Sequence, residues 1–391
     1  MDHETYRDAL RRDLAGTEVA FSTGELDRRE DKVRHAMAQH GLEALLITAP
    51  ADIFYLTGYS TFEVSVHACL VLGPGYTALQ VPSIETGPAV VCTRVSELMG
   101  YRWEDTDGPL APLTDLLAGT RTVGYDAWQP GFRTALLDGL RRALPGCGFH
   151  DAGDLLPAIR RVKSAAEMDY LRRSAAITRQ GLDAAEAAIT AGTTDSAVAA
   201  AGAQAMLGGG SEFMSMQPIV TTGPRSSVIH TNHNGRVLRD GDPVFMEFGA
   251  SVHRYTAPMM RTRICGTPDQ HMERIRATCR ALFETLTEHM RPGHTFDDAA
   301  RAAEVTMAPV ADEAFFSGVF GYTVGAAFPP SWVEGSGFIA RGQDTLFREN
   351  MVFHLPLCLR LPGRWGIGIS ETVRICAAGA AEPLIENVWD F

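Results

Sequence analysis

The sequence predicts two domains of different class, an α/β domain over residues 1–157 and an α+β domain over residues 158–391. Three observations predict it. At roughly 150 residues per domain, a chain of 391 residues is too long for one small core. Short apolar runs alternate with Arg-rich helical stretches up to about residue 157. Beyond that point two long helical patterns give way near Met216 to strand patterns, which sets helices apart from an antiparallel sheet.

Each element has its own signal. ELDRREDKVRHAMAQHG (25–41) has helical periodicity and closes on Gly41, a residue that accepts the left-handed turn past a helix end. LEALLIT (42–48) reads as a buried strand, and VSVHACLVLG (64–73) as another after a turn at Gly58. In AIRRVKSAAEMDYL, Ser164 and Glu167 have the spacing at which hydroxyl and carboxylate cap each other's amides, opening a helix to about Ile189. An Ala-rich helix follows and stops at the Gly208–Gly210 run. PVFMEFG (243–249) is a strand, with a second near 252–265. Thr267 with Gln270 starts a helix that runs to Met290, before Pro292-Gly293, and Thr295 with Asp298 caps one more. The remainder to Val373 reads as strands and loops, with no repeat or flexible linker.

Composition narrows the function. Hydrophobic residues are 45% and charged residues 21%, as in ordinary globular chains. No run of about 18 apolar residues occurs, and MDHETYRDALRRDLAG has no apolar core of a secretory signal. A net charge of −12 with scattered arginines argues against nucleic acid or an anionic membrane as partner. Lys32 and Lys163 are the only lysines, which nearly removes Schiff-base chemistry. The seven cysteines lie far apart without a C-x-x-C, so neither a disulfide framework nor a thiolate metal site is expected, and the cytoplasm is the expected compartment.

No P-loop, G-x-G-x-x-G after a strand, or G-x-S-x-G is present. His230 and His233 form the one close histidine pair, in SSVIHTNHNGR; on spacing alone two loop histidines are favoured over a zinc site. Glu247 stands in VFMEFG, where burial would raise its pKa toward the range useful for acid–base work. An outward-facing strand glutamate is the other reading. The tract 321–337 concentrates Gly, Pro, Tyr and Trp in one loop, as a pocket wall or a rigid turn would. His354 and Glu371 are further single polar residues in apolar strands.

Taken together, the motifs resemble the pita-bread fold of creatinase, aminopeptidase P and prolidase. The resemblance runs from ADIFYLTGYS through RRVKSAAEMDYLRRSAAI, TGPRSSVIH, DGDPVFMEFGASVHRYTAPMMRT and GYTVG to MVFHLP, nearly the whole chain. Metallopeptidases of that fold hold two metal ions with five carboxylate and histidine ligands, and the matching positions here are Glu247, Pro258, Tyr322, Pro356 and Ser370. Proline has no side-chain donor, and Tyr and Ser are poor ligands, so the resemblance implies no metal and no other cofactor. Creatinase is similar at Thr256, Ala257, Arg261, Thr262 and His230, but Val66 replaces its substrate-carboxylate arginine. Ectoine hydrolase is similar at Leu56–Tyr59, Val66-His67, Glu247, Arg254-Tyr255, Pro258, Tyr322, Pro329-Pro330, Trp332, Glu334, His354 and Glu371. The chain departs from it in HTNHNGR and LCLRLPGRW.

This resemblance implies a cytoplasmic homodimer acting on a small molecule by metal-independent hydrolysis of a non-peptide C–N bond. It implies Glu247, His230 and Glu371 as catalytic residues, with His67, Tyr255, Tyr322, Trp332, Glu334 and His354 contacting substrate. A ring-forming cyclase on the same constellation and a non-catalytic binding module are the alternatives.

Overall fold

The computed structural model describes residues 2–129 and 131–390. The chain divides into two compact units, Met1–Ile159 and Arg160–Phe391.

The first unit is built on a six-stranded mixed sheet. Its strands lie in the order Glu97–Tyr101, Thr77–Pro82, Cys69–Leu72, Ala44–Ile47, Thr122–Tyr125 and Gly148–Asp151. Successive side chains of a strand point to opposite faces. Leu45 and Ile47 accordingly join Val33, Met37 and Leu70 on one side of the sheet, while Ala44 and Leu46 join Val71, Leu113 and Leu140 on the other. The helix expected over 25–41 spans Thr23–Gln39, and Gly41 takes the left-handed conformation (φ 67°) just past its end. Strand 64–73 is shorter than expected, Cys69–Leu72. A first helix, His3–Leu14, was not anticipated; Asp2 accepts the Thr5 amide at its start, but it has no long apolar face to announce it.

In the second unit both capping boxes form as read, Ser164/Glu167 opening Ala165–Ala187 and Thr295/Asp298 opening Phe296–Met307. The helix expected from Thr267 instead starts at Gln270, because Asp269 accepts the Met272 amide. All strand pairings here are antiparallel. One sheet places Asp242–Phe248 between Ile219–Thr222 and Met259–Cys265. A second orders Val333–Ile339, Gly321–Val324, Val352–His354, Thr372–Arg374 and Glu382–Pro383. Cys358–Leu361 pairs with Trp365–Gly368 as a separate ribbon. The tract 321–337, expected as a loop, is therefore largely two paired strands.

The strand expected over 252–265 is broken by a tight hairpin. Ser251–Val252 and Tyr255–Thr256 pair across His253 and Arg254, which sit at φ 44° and 65°. Two-residue hairpin turns require such positive φ values, and non-glycine residues resist them. Arg254 is fully buried, its guanidinium 4.4 Å from the Phe213 ring and 4.3 Å from that of Phe328, which holds the turn in place.

Helices Ala165–Ala187 and Asp195–Gly208 cover one face of the first sheet, packing on Val244, Met246 and Phe248. Their close approach rests on Gly181 and Gly202: a Cβ on Gly202 would stand 2.2 Å from the Phe248 ring. Overpacking of this kind costs about 1–3 kcal/mol. Gly202→Ala should lower stability by that amount in a denaturant titration, and no loss would mean the helices can simply slide apart. No described helix is long and apolar enough to cross a membrane.

Candidate active site

Side-chain alternation places Glu247 on the face of its strand that points away from the helices. It lies opposite Met260 on one neighbouring strand and Ile219 on the other. Directly opposed residues share a face. On that face Phe245, Met260 and Cys358 form a small apolar cluster. The Arg360 guanidinium stands 5.7 Å over the Phe245 ring, and its buried Nε has no hydrogen-bond partner among the described residues. Glu247 itself is half-buried. Burial pushes its carboxyl up to about 7, while the Arg360 charge pulls the other way. A carboxylate poised there can take a proton near neutral pH.

Beside it runs a chain of hydrogen bonds between residues distant in sequence. Trp332 Nε1 donates to the Tyr322 hydroxyl at 2.9 Å, and the same hydroxyl meets His354 Nδ1 at 2.8 Å. His354 Nε2 meets Ser370 Oγ at 2.5 Å, and the Met260 amide donates to that Oγ at 2.8 Å. The sheet makes this possible: Tyr322 pairs with His354, and His354 with Thr372, the second residue past Ser370. His354 is fully buried, which depresses its pKa to about 3, so the ring is neutral. Tyr322 is half-buried; its pKa is raised well above the usual phenol range, by burial first and then by the Glu247 charge.

Tyr322, Trp332, His354 and Glu247 are thus brought together, and other expected residues are not. Tyr255 is fully buried and gives its hydroxyl to Glu167 of the helix cap at 2.9 Å, so it fixes the fold rather than facing substrate. Glu334 is held by Lys163 Nζ at 2.7 and 2.9 Å, by Arg160 at 3.4 Å and by the Ser336 hydroxyl at 2.9 Å, which removes it from a pocket wall. Glu371, expected as a second catalytic carboxylate, turns to the C-terminal segment, where Oε1 accepts from the Asn387 amide and Trp389 Nε1. The Asn387 side chain in turn donates to the backbone oxygens of Met260 and Ser370. His230 lies exposed on a turn at φ 54°, with no hydrogen bond to the buried chain among the described residues. His67 belongs to the first unit; it is buried and neutral, its pKa lowered to about 4, and neither ring nitrogen has a hydrogen-bond partner among the described residues.

Arg360, whose charge reaches Glu247, and Ser370, which meets His354, were not expected in these positions. A single cation in the apolar run LCLRL is the same signal that marked Glu247, so Arg360 could have been found. Ser370 was marked only by its match to a metal-ligand position, not as a partner of His354.

The five positions at which the resemblance implies metal ligands do not fit a two-metal centre. The Pro258 carbonyl accepts from Thr372 Oγ1 at 2.7 Å, and the oxygens of Tyr322 and Ser370 are engaged in the chain just described. Among the described residues no three or more of His, Cys, Asp and Glu are grouped to hold a metal ion.

Metallopeptidase family M24 matches residues 169–377, and the creatinase/prolidase N-terminal domain matches residues 29–162. Ectoine hydrolase of Halomonas elongata is 25% identical, over 95% of this chain and 97% of its own. The probable dipeptidase PepE of Mycobacterium tuberculosis is 30% identical, over 88% of this chain and 90% of its own. Among solved structures, prolidase from Pyrococcus horikoshii superposes with a TM-score of 0.80 at 21% identity, covering 92% of this chain and 99% of that one. PepE from Mycobacterium ulcerans gives 0.79 at 25% identity, covering 95% and 98%. The fold is therefore the pita-bread architecture with an α/β N-terminal domain.

Proposed function

Since the chain belongs to metallopeptidase family M24, a family of hydrolases, we propose that it is a metal-independent member that cleaves a non-peptide C–N bond in a small polar molecule. One observation carries this reading: of the five positions that should hold metal, only Glu247 offers a carboxylate, and neutral hydrogen-bonded residues stand beside it. The likeness to ectoine hydrolase supports the bond type, a cyclic amidine or amidino C–N bond.

Glu247 is the general base or nucleophile of this mechanism. As base it takes a proton from water, the hydroxide bonds to the electrophilic carbon, the C–N bond breaks with its electron pair on nitrogen, and the proton ends on that nitrogen. Arg360 balances charge on the Glu247 face, and His230 is the exposed candidate for passing the proton to nitrogen. A cytoplasmic homodimer completes the proposal.

The test is turnover of ectoine and of an Xaa-Pro dipeptide, each with and without a chelator, on protein whose metal content has been measured. The expected result is chelator-insensitive opening of the cyclic amidine, with substoichiometric Mn, Zn, Fe and Co. Dipeptide hydrolysis that is lost to the chelator and restored by metal would overturn the proposal.

A further inference from the structure

The hydrogen-bonded chain beside Glu247 runs from Trp332 through Tyr322, His354 and Ser370 to the Met260 amide. Five hydrogens are available on its polar atoms. They are the Trp332 indole N–H, the Tyr322 O–H, one N–H of neutral His354, the Ser370 O–H and the Met260 amide N–H. Four hydrogen bonds use them: Trp332 to Tyr322, Tyr322 with His354, His354 with Ser370, and Met260 to Ser370. One hydrogen is left over, and the tautomer of His354 decides where it sits.

If Nε2 carried the ring hydrogen, Ser370 Oγ would accept from both His354 and Met260. Its own hydrogen would then point nowhere, in a residue with no exposed surface. A buried unpaired hydroxyl is disfavoured. If Nδ1 carries it, Ser370 donates to Nε2 and every buried group is paired. Tyr322 Oη then accepts from Trp332 and from His354, and its own hydrogen is the one without a partner. Tyr322 is half-buried rather than sealed, and it lies within reach of the Glu247 charge.

We propose that His354 is held as the Nδ1–H tautomer by Ser370, and that this leaves the Tyr322 hydroxyl as the free hydrogen-bond donor of the site, offered to the bound substrate beside Glu247. The role toward substrate rests on the functional reading above; the tautomer does not. Tyr322 would touch the substrate and hydrogen-bond charge developing on it, as a pre-aimed donor does. His354 and Ser370 are positioning residues that act through Tyr322.

The decisive measurement is the long-range ¹H–¹⁵N correlation spectrum of the imidazoles in ¹⁵N-labelled full-length protein, with His354 assigned by loss of its signals in His354→Asn. The Nδ1–H pattern is expected across pH 6–9, and Ser370→Ala should convert it to Nε2–H. An Nε2–H ring or an imidazolium in the unmodified protein at pH 7 would overturn the proposal whatever the activity. With ectoine as probe, Tyr322→Phe should lower kcat about a hundredfold, the scale of losing one pre-aimed donor, with KM little changed. His354→Asn, whose amide can place an N–H where Nδ1–H stood, should keep most of kcat, whereas His354→Leu should match Tyr322→Phe. Equal losses in the Asn and Leu variants would count against the positioning role. If the unmodified protein leaves ectoine untouched, the functional reading fails on that substrate while the spectrum still decides the tautomer.

Discussion

Glu247→Gln is expected to reduce kcat at least about a hundredfold, the low end for removing an acid–base group, while leaving substrate binding in place. The amide keeps the shape of the side chain and cannot take a proton. In the unmodified protein kcat should rise through pH about 7, where the buried carboxyl ionises. The same group makes a second, opposite prediction for stability. Its pKa is raised from 4.5 to about 7 by folding, so between those values the unfolded chain has released a proton that the folded chain still holds. Stability therefore falls as pH rises through that window, by up to roughly 3 kcal/mol. Glu247→Gln should remove this loss and be more stable than the unmodified protein above pH 7, with little difference below pH 4.5. If His230 hands the proton to nitrogen, His230→Ala should show a similar loss of kcat, and the double variant should be scarcely worse than either. Near-full turnover by Glu247→Gln on the true substrate would make Glu247 a structural strand residue.

The largest effect on stability is expected from Glu334→Ala. Lys163, Arg160 and Glu334 have side chains 0%, 6% and 2% exposed, so two cations share one buried carboxylate. Removing the carboxylate leaves both cations buried without it, a loss of about 3–5 kcal/mol. Lys163 also donates to the Arg160 carbonyl at 2.6 Å, so it cannot swing to solvent without breaking that bond. A urea titration measures the loss. Adding Lys163→Met to Glu334→Ala should recover part of it, because an apolar side chain has no charge to strand. A loss below about 1 kcal/mol for Glu334→Ala would place the trio with the weak surface ion pairs.

What the sequence disclosed followed the range of the interactions. Both capping boxes span three residues and were readable, whereas Thr267 was mistaken for a cap because Asp269, two residues on, competes for the same role. Glu247 was legible because an ionisable residue in an apolar strand stands out, and the strand alternation that aims it is local. The partners of His354 were not legible. Tyr322 lies 32 residues away and Ser370 lies 16, and only the strand register brings them to one ring. Glu334 misled for the same reason, since the lysine that engages it is 171 residues distant. Glu371 was misplaced because it and Ser370 lie side by side in the short link between two strands, and there Ser370 turns to His354 while Glu371 turns to Asn387 and Trp389.

The C-terminal segment ties the back of this site to a distant part of the chain. Asn387 holds the backbone oxygens of Met260 and Ser370 together, Glu371 holds Asn387 and Trp389, and Arg261 Nε reaches Asn387 Oδ1 at 3.1 Å. In hydrogen-exchange terms these contacts should couple the segment of Asn387 and Trp389 to Met260 and Ser370 in one opening unit. When that segment lifts, the Met260 amide that restrains Ser370 should exchange with it, and hydrogen exchange is expected to give the site and the tail similar protection.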